Sequence, residues 1–200
     1  AANVELARSV AQPVDGIDTG AQAAAGATTP EEVATPDQRT IEEVSAFLGI
    51  RPSALIKALV YVAGDQTVMA LVRGDHSLHE NKLARFLKAE VRPAHPEEVL
   101  AATGAEVGFV GPVGVKLRLI ADETLRPAAA ADVEGRVYAA GANKAHTHLR
   151  GVVVGRDFQP EFADLREAQE GDACPVCGAP LIVKQVIEIG NIFKLGTKYS

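Results

Sequence analysis

Apolar residues recur with two spacings along this 200-residue chain, and the switches between them mark its elements. Ile41, Val44, Phe47 and Leu48 keep a helical period. Thr40 and Glu43 stand where a capping box would open that helix, and Gly49 ends it. Residues 56–63 (Ile-Lys-Ala-Leu-Val-Tyr-Val-Ala) predict a strand, residues 64–66 a turn, and residues 67–73 the return strand of a hairpin. A helix is predicted over 78–89, with Leu83, Phe86 and Leu87 inward and Lys82, Arg85 and Lys88 on or beside the outer face. Residues 91–92 make a short strand, and Pro96 followed by two glutamates opens a helix that stops at Gly104. Residues 116–121 alternate as a half-buried strand should. Further strands are expected at 136–140, 151–155 and 180–189, a helical turn at 128–132, and a helical face from Phe162, Leu165 and Gln169. Residues 12–37, rich in Ala, Gly, Thr and Pro, show no period and read as a connection.

Composition narrows the class. The apolar fraction of 47% is enough for a core. No run approaches the roughly 18 apolar residues of a membrane span. No basic region followed by an apolar stretch opens the sequence, and both cysteines lie in Cys174-Pro-Val-Cys177, so a reducing, cytoplasmic setting is expected. Tryptophan is absent and aromatics make up 4%, which argues against a stacking platform for single strands. The net charge of −6 equals that of residues 1–50 alone, which hold eight acids and two bases. Residues 51–96 are locally basic, with seven bases against four acids, so acidity overall does not exclude a nucleic-acid partner.

Residues 104–115 carry the most unusual composition: four glycines and a proline among apolar residues. Glycine lets another group approach the main chain, so this loop suits either the wall of a small pocket or a tight helix-to-strand connection. Lys57, among apolar neighbours at a strand start, either snorkels to a strand end or binds phosphate or carbonyl oxygen as a point charge. Asp122 ends a strand, where carboxylates cap the next turn and where sites collect. His146 and His148 would point the same way on an extended chain. A third metal ligand is not evident beside them, so one of them as a proton carrier or substrate orienter is the more economical reading. The Cys-Pro-Val-Cys spacing fits one knuckle of a zinc ribbon, but this chain has no second cysteine pair, and a metal-free turn is expected.

Together these pieces resemble the editing (insertion) domain of bacterial-type prolyl-tRNA synthetases. The resemblance rests on Gly108-Phe-Val-Gly111-Pro112, on Ala54-Leu-Ile-Lys57-Ala-Leu-Val, and on Gly141-Ala-Asn143 followed by His148. It rests also on the run from Gly171-Asp-Ala-Cys-Pro-Val-Cys-Gly to the tail at 187–200. It implies an α/β fold of α+β type: a mixed, largely antiparallel curved sheet or partial barrel with short helices around it. It implies three parts: a connection from the synthetase body at 1–37, the editing domain at 38–190, and a re-entry segment at 191–200. The implied activity is deacylation of alanyl-tRNA(Pro), because a proline pocket cannot strongly exclude the smaller alanine.

By the same resemblance Lys57 would hold the terminal phosphate or a carbonyl oxygen. Main-chain N–H groups around Gly111 would face the oxyanion. His148 would shape the aminoacyl pocket, and Asp122 would hold the α-amine or support the lysine. Gly108, Gly111, Pro112, Gly141 and Asn143 would line the substrate site. No cofactor is expected for editing; ATP and Mg would belong to the synthetase domain. The expected partners are the alanine-bearing acceptor end of tRNA(Pro) and the catalytic domain of a homodimeric parent, with no membrane. A free-standing deacylase for another mischarged tRNA and a non-catalytic tRNA-binding insert are the alternatives.

Overall fold

The computed structural model describes Ala7, Ser9 and residues 29–127 and 136–184. The expected helical turn at 128–132, the tail at 187–200 and most of the 1–37 connection lie outside the described residues. Among the described residues eight strands and three α-helices follow in the order β1 (Glu31–Ala34), α1 (Ile41–Leu48), β2 (Ile56–Ala63), β3 (Gln66–Arg73), α2 (Glu80–Leu87), β4 (Val91–Pro93), α3 (Pro96–Thr103), β5 (Arg118–Asp122), β6 (Tyr138–Gly141), β7 (Thr147–Val152) and β8 (Glu161–Ala163). They form two sheets, β1-β7-β6 and β4-β2-β3-β5-β8. The first is antiparallel; the second is mixed, with β2 antiparallel to β3 and β4, and β5 parallel to both β3 and β8. A parallel bridge, Leu55 to Ala139, joins the sheets. Mixed sheets with short helices are what the resemblance implies.

Local signals set most of these elements. Thr40 accepts from the Glu43 N–H, while Glu43 accepts from the Thr40 N–H, so the predicted capping box closes α1. Gly49 and Gly104 end α1 and α3 with φ of +66° and +76°, a region glycine enters without a Cβ penalty. The hairpin pairs Ile56 with Arg73 through to Ala63 with Gln66.

The alternation of β2, β3 and β5 sorts side chains to two faces. On one face a single core spans both sheets, with Met69, Leu71, Leu119 and Ala121 beside Tyr138, Ala140 and Leu149, and with Val99 of α3 and Val110 packed on it. On the other face the core divides. One part gathers Val68, Ala70, Val72 and Ile120 around Leu83 of α2; another gathers Leu55 and Ala139 around Val44 and Leu48 of α1. Lys57 falls on this second face, between Leu55 of one part and Leu59 and Tyr61 of the other. The boundary between the two parts of the divided core is the seam on which Lys57 stands.

Four expectations change. β1 lies within the stretch read as a connection, paired from Glu31–Arg150 to Ala34–Thr147. Residues 161–163 form strand β8 on the edge of β5 where a helix was expected. The strand expected at 151–155 starts earlier, so His148 lies inside β7. Lys82 is 6% exposed, with its ammonium donating to Ala7 O, Asp164 Oδ1 and Arg166 O.

Candidate functional site

Strand register lines up the predicted residues in one row. Gly141 of β6 pairs with His148 of β7. Lys57 and Gly141 each stand two residues past the Leu55–Ala139 bridge, on the face those residues share. Lys57 pairs with Val72 of β3. Asp122 follows Ala121, which pairs with Leu71, so Asp122 stands level with Val72 across β3 and β5. The row His148, Gly141, Lys57, Val72, Asp122 therefore crosses both sheets at the seam, with the cation at its middle.

On the His148 side the chain is packed backbone against backbone. A Cβ on Gly111 would lie 1.8 Å from the Gly141 carbonyl oxygen, and one on Gly141 would lie 2.3 Å from Val110 O. Asn143, at φ +55°, clamps this contact. Its Oδ1 accepts from the Gly111 N–H at 2.9 Å, and its Nδ2 donates to Gly111 O and Val113 O. The Gly111 N–H expected to face an oxyanion is thus engaged by Asn143. Gly108 has φ +99° and packs on Arg39.

His148 is 4% exposed. Its Nδ1 lies 2.6 Å from the Thr35 hydroxyl, its ring also bonds the Gly108 backbone, and the Phe109 ring meets it edge-on at 5.9 Å. Burial pushes its pKa down to about 4, so the imidazole is neutral at pH 7. The Thr35 hydroxyl and the Gly108 backbone both hold the ring, which makes His148 a brace between Thr35 and the glycine loop. His146 sits in a turn at φ +54° rather than on the extended chain, so the two histidines do not share a strand face.

Lys57 donates to the His76 carbonyl at 3.0 Å, which leaves two of its three N–H groups for an incoming oxygen. That carbonyl belongs to His76, in the turn after β3, where its N–H donates to Arg73 O at 2.9 Å. His76 is 3% exposed, and its Nε2 lies 3.0 Å from the Arg73 guanidinium, while its Nδ1 has no partner. Burial first, and then the Arg73 guanidinium, bring its pKa down to about 4 against the opposing pull of Asp75 and Asp122. An orphaned buried donor beside a half-buried lysine marks a place where polar groups were kept at a cost.

Asp122 is 1% exposed and fully committed. Oδ1 accepts from the Thr124 N–H and hydroxyl, and Oδ2 from the Leu165 and Arg166 N–H groups. It ties the end of β5 to the segment after β8, and those two N–H bonds explain why residues 164–166 stay extended. Beyond it lies a hollow of about 410 Å3 lined by Asp122, Thr124, Asp164, Arg166, Ser9, Glu123 and Pro175. Arg166 is 2% exposed; it donates to Asp172 Oδ2 at 2.7 Å and to Ser9 Oγ at 2.6 Å. Of the seven bases in 51–96, Arg73, Lys82 and Arg92 are paired with Asp75, Asp164 and Glu98, so much of the local basic excess is neutralised in place.

Residues 35–158 match the family described as the aminoacyl-tRNA editing domain. The chain is 46% identical over its whole length to a proline–tRNA ligase of Solidesulfovibrio magneticus, of which the match spans 33%. It is 49% identical, over 85% of its length, to the corresponding enzyme of Oleidesulfovibrio alaskensis, of which the match spans 29%. The chain thus covers about a third of the length of these curated relatives. Among solved structures it resembles a candidate trans-editing enzyme for prolyl tRNA synthetase, with 27% identity and a TM-score of 0.58 over 70% of this chain and 87% of that one. Hypothetical protein APE2540, at 23% identity and a TM-score of 0.55 over 70% of this chain and 92% of that one, shares the fold. Among the described residues no helix is long and apolar enough to cross a membrane.

Proposed function

This chain belongs to the aminoacyl-tRNA editing domain family, and from that premise we propose that it hydrolyses the ester of alanyl-tRNA(Pro) as the editing insert of a prolyl-tRNA synthetase. The observation that carries the reading is Lys57, a cation set in the seam between a bare-backbone cradle and a saturated carboxylate. The likeness to proline–tRNA ligases supports the choice of tRNA.

The ester of an amino acid to the terminal ribose is already activated, so the protein needs chiefly to place it and to stabilise negative charge on its carbonyl oxygen. Lys57 supplies that stabilisation through the two N–H groups left by His76. Hydration of the ester carbon gives a tetrahedral intermediate; its collapse breaks the bond to the ribose oxygen and releases alanine and tRNA. The vicinal ribose hydroxyl serves to orient the water. In this reading Gly111, Pro112 and Gly141 wall the aminoacyl pocket, which takes a methyl group and excludes a pyrrolidine ring. Gly108 and Asn143 hold that wall in shape. His148 and Asp122 act as positioning residues, since protein groups hold the His148 ring and both Asp122 carboxylate oxygens. The remainder of the parent, a homodimer in this reading, would supply ATP and Mg2+ chemistry; editing itself uses neither.

Alanyl-, cysteinyl- and prolyl-tRNA(Pro) compared in one deacylation assay test the proposal. Loss of the alanyl ester alone supports it. Equal loss of prolyl-tRNA(Pro) removes the sieve. Salt-dependent tRNA binding with no ester loss, in this chain and in the full-length parent alike, assigns a non-catalytic tRNA-binding insert instead.

A further inference from the structure

Residues 171–181 form a small hairpin that the proposed hydrolysis does not use. The Gly171 N–H donates to Leu181 O at 2.8 Å and the Leu181 N–H to Asp172 O at 2.7 Å, and Ala173 bridges Pro180. At its tip the Cys174 N–H donates to Ala179 O and the Gly178 N–H returns to Cys174 O at 2.9 Å, with Gly178 at φ +72°. Cys174 therefore opens one tight turn and Cys177 stands one residue before its close. Residues three apart in a tight turn have Cα atoms within roughly 7 Å, close to the roughly 4.4–6.8 Å that a disulfide spans. The Cys177 and Val176 N–H groups, and after them the Cys177 thiol, are directed toward the Cys174 sulfur. Those N–H groups favour the Cys174 thiolate, moving its pKa below the ordinary thiol value. Cys177 is exposed and Cys174 half-exposed, so a small reagent reaches both. Among the described residues no group of three or more His, Cys, Asp or Glu stands together, and a disulfide needs only the two sulfurs.

We propose that Cys174 and Cys177 are a reversible dithiol–disulfide pair, a modification site whose co-reactant is a small-molecule disulfide such as oxidised glutathione. The Cys174 thiolate attacks one glutathione sulfur, and the S–S bond breaks to release one glutathione thiolate. The Cys177 thiolate then attacks Cys174 sulfur in the mixed disulfide and expels the second. Two protein thiols and one glutathione disulfide become one protein disulfide and two glutathione thiols. Pro175, between the cysteines, forms part of the wall of the hollow that Asp122 and Arg166 line, so the bond forms beside the charged end of the candidate site.

The test equilibrates the whole chain with glutathione buffers of increasing oxidised fraction, quenches with acid, alkylates free thiols and reads the masses. Both thiols should vanish together in one transition, with a loss of two hydrogens and no glutathione retained. Cys177→Ser should instead trap glutathione on Cys174, because the resolving thiol is gone. Any of three results overturns the proposal: both cysteines alkylated at every ratio, glutathione carried stably on the unaltered chain, or stoichiometric zinc that shields both thiols.

Discussion

The two flanks of Lys57 are built on opposite principles. On the His148 flank, Gly111 and Gly141 bring two backbones into contact, with no room for a side chain between them. On the Asp122 flank, Lys82, Asp164, Arg166 and Asp172 fill the space with charge, nearly every polar atom paired. The glycine flank is rigid because nothing larger fits. The charged flank is rigid because each buried ion would be costly alone. A lysine placed between them meets a low-dielectric wall on one side and a neutralised network on the other, which leaves its own charge free for a ligand.

The sharpest way to break the comparison is to add one methyl group. Gly111→Ala sets a Cβ 1.8 Å from the Gly141 carbonyl, a backbone atom that cannot turn aside. A loss of about 4 kcal/mol or more in urea unfolding is expected. A loss below about 1 kcal/mol would mean that the two backbones are not in contact.

On the charged flank, Arg166→Met strands Asp172, whose side chain is 5% exposed, at an expected cost of about 3 kcal/mol. Restoration by the double variant Arg166→Met with Asp172→Leu would separate the cost of an unpaired ion from simple loss of packing.

Acid acts on both flanks at once. His76 and His148 have folded pKa values near 4 against an ordinary 6.5, so the unfolded chain binds their protons first. Their contribution is complete above pH 6.5 and is lost as the pH falls toward 4, on the order of 3 kcal/mol for each. Urea midpoints measured between pH 7 and 4 should fall through that window, and His148→Gln should flatten part of the slope. A smaller effect is expected of Thr35→Val, about 1 to 2 kcal/mol, from the lost partner of His148 Nδ1.

The flanks also differ in how far the sequence discloses them. Thr40 with Glu43, the hairpin at 56–73, and Pro96 to Gly104 are local signals, and each forms as its residues predict. The glycine loop, Asn143 and His148 belong to short motifs and are found together. Lys82 looks like a solvated residue of an amphipathic helix, because the oxygens that bury it come from Ala7, Asp164 and Arg166, 75 to 84 positions away. Strand β1 is four residues of mostly exposed sequence, and only its pairing with β7 makes it a strand. Residues 162–169 have a helical spacing of apolar positions, yet Asp122 takes the Leu165 and Arg166 N–H groups and holds them extended. His76 carries no pattern; its place is set by the Lys57 ammonium on its carbonyl.

The direct test of the central claim is single-turnover deacylation of alanyl-tRNA(Pro) by the wild-type chain and by Lys57→Ala, with urea unfolding of both. The account predicts a rate at least about 100-fold lower with stability unchanged within about 1 kcal/mol, since the lysine stands in a seam rather than a core. A variant that folds normally and still hydrolyses the ester at the wild-type rate would contradict it.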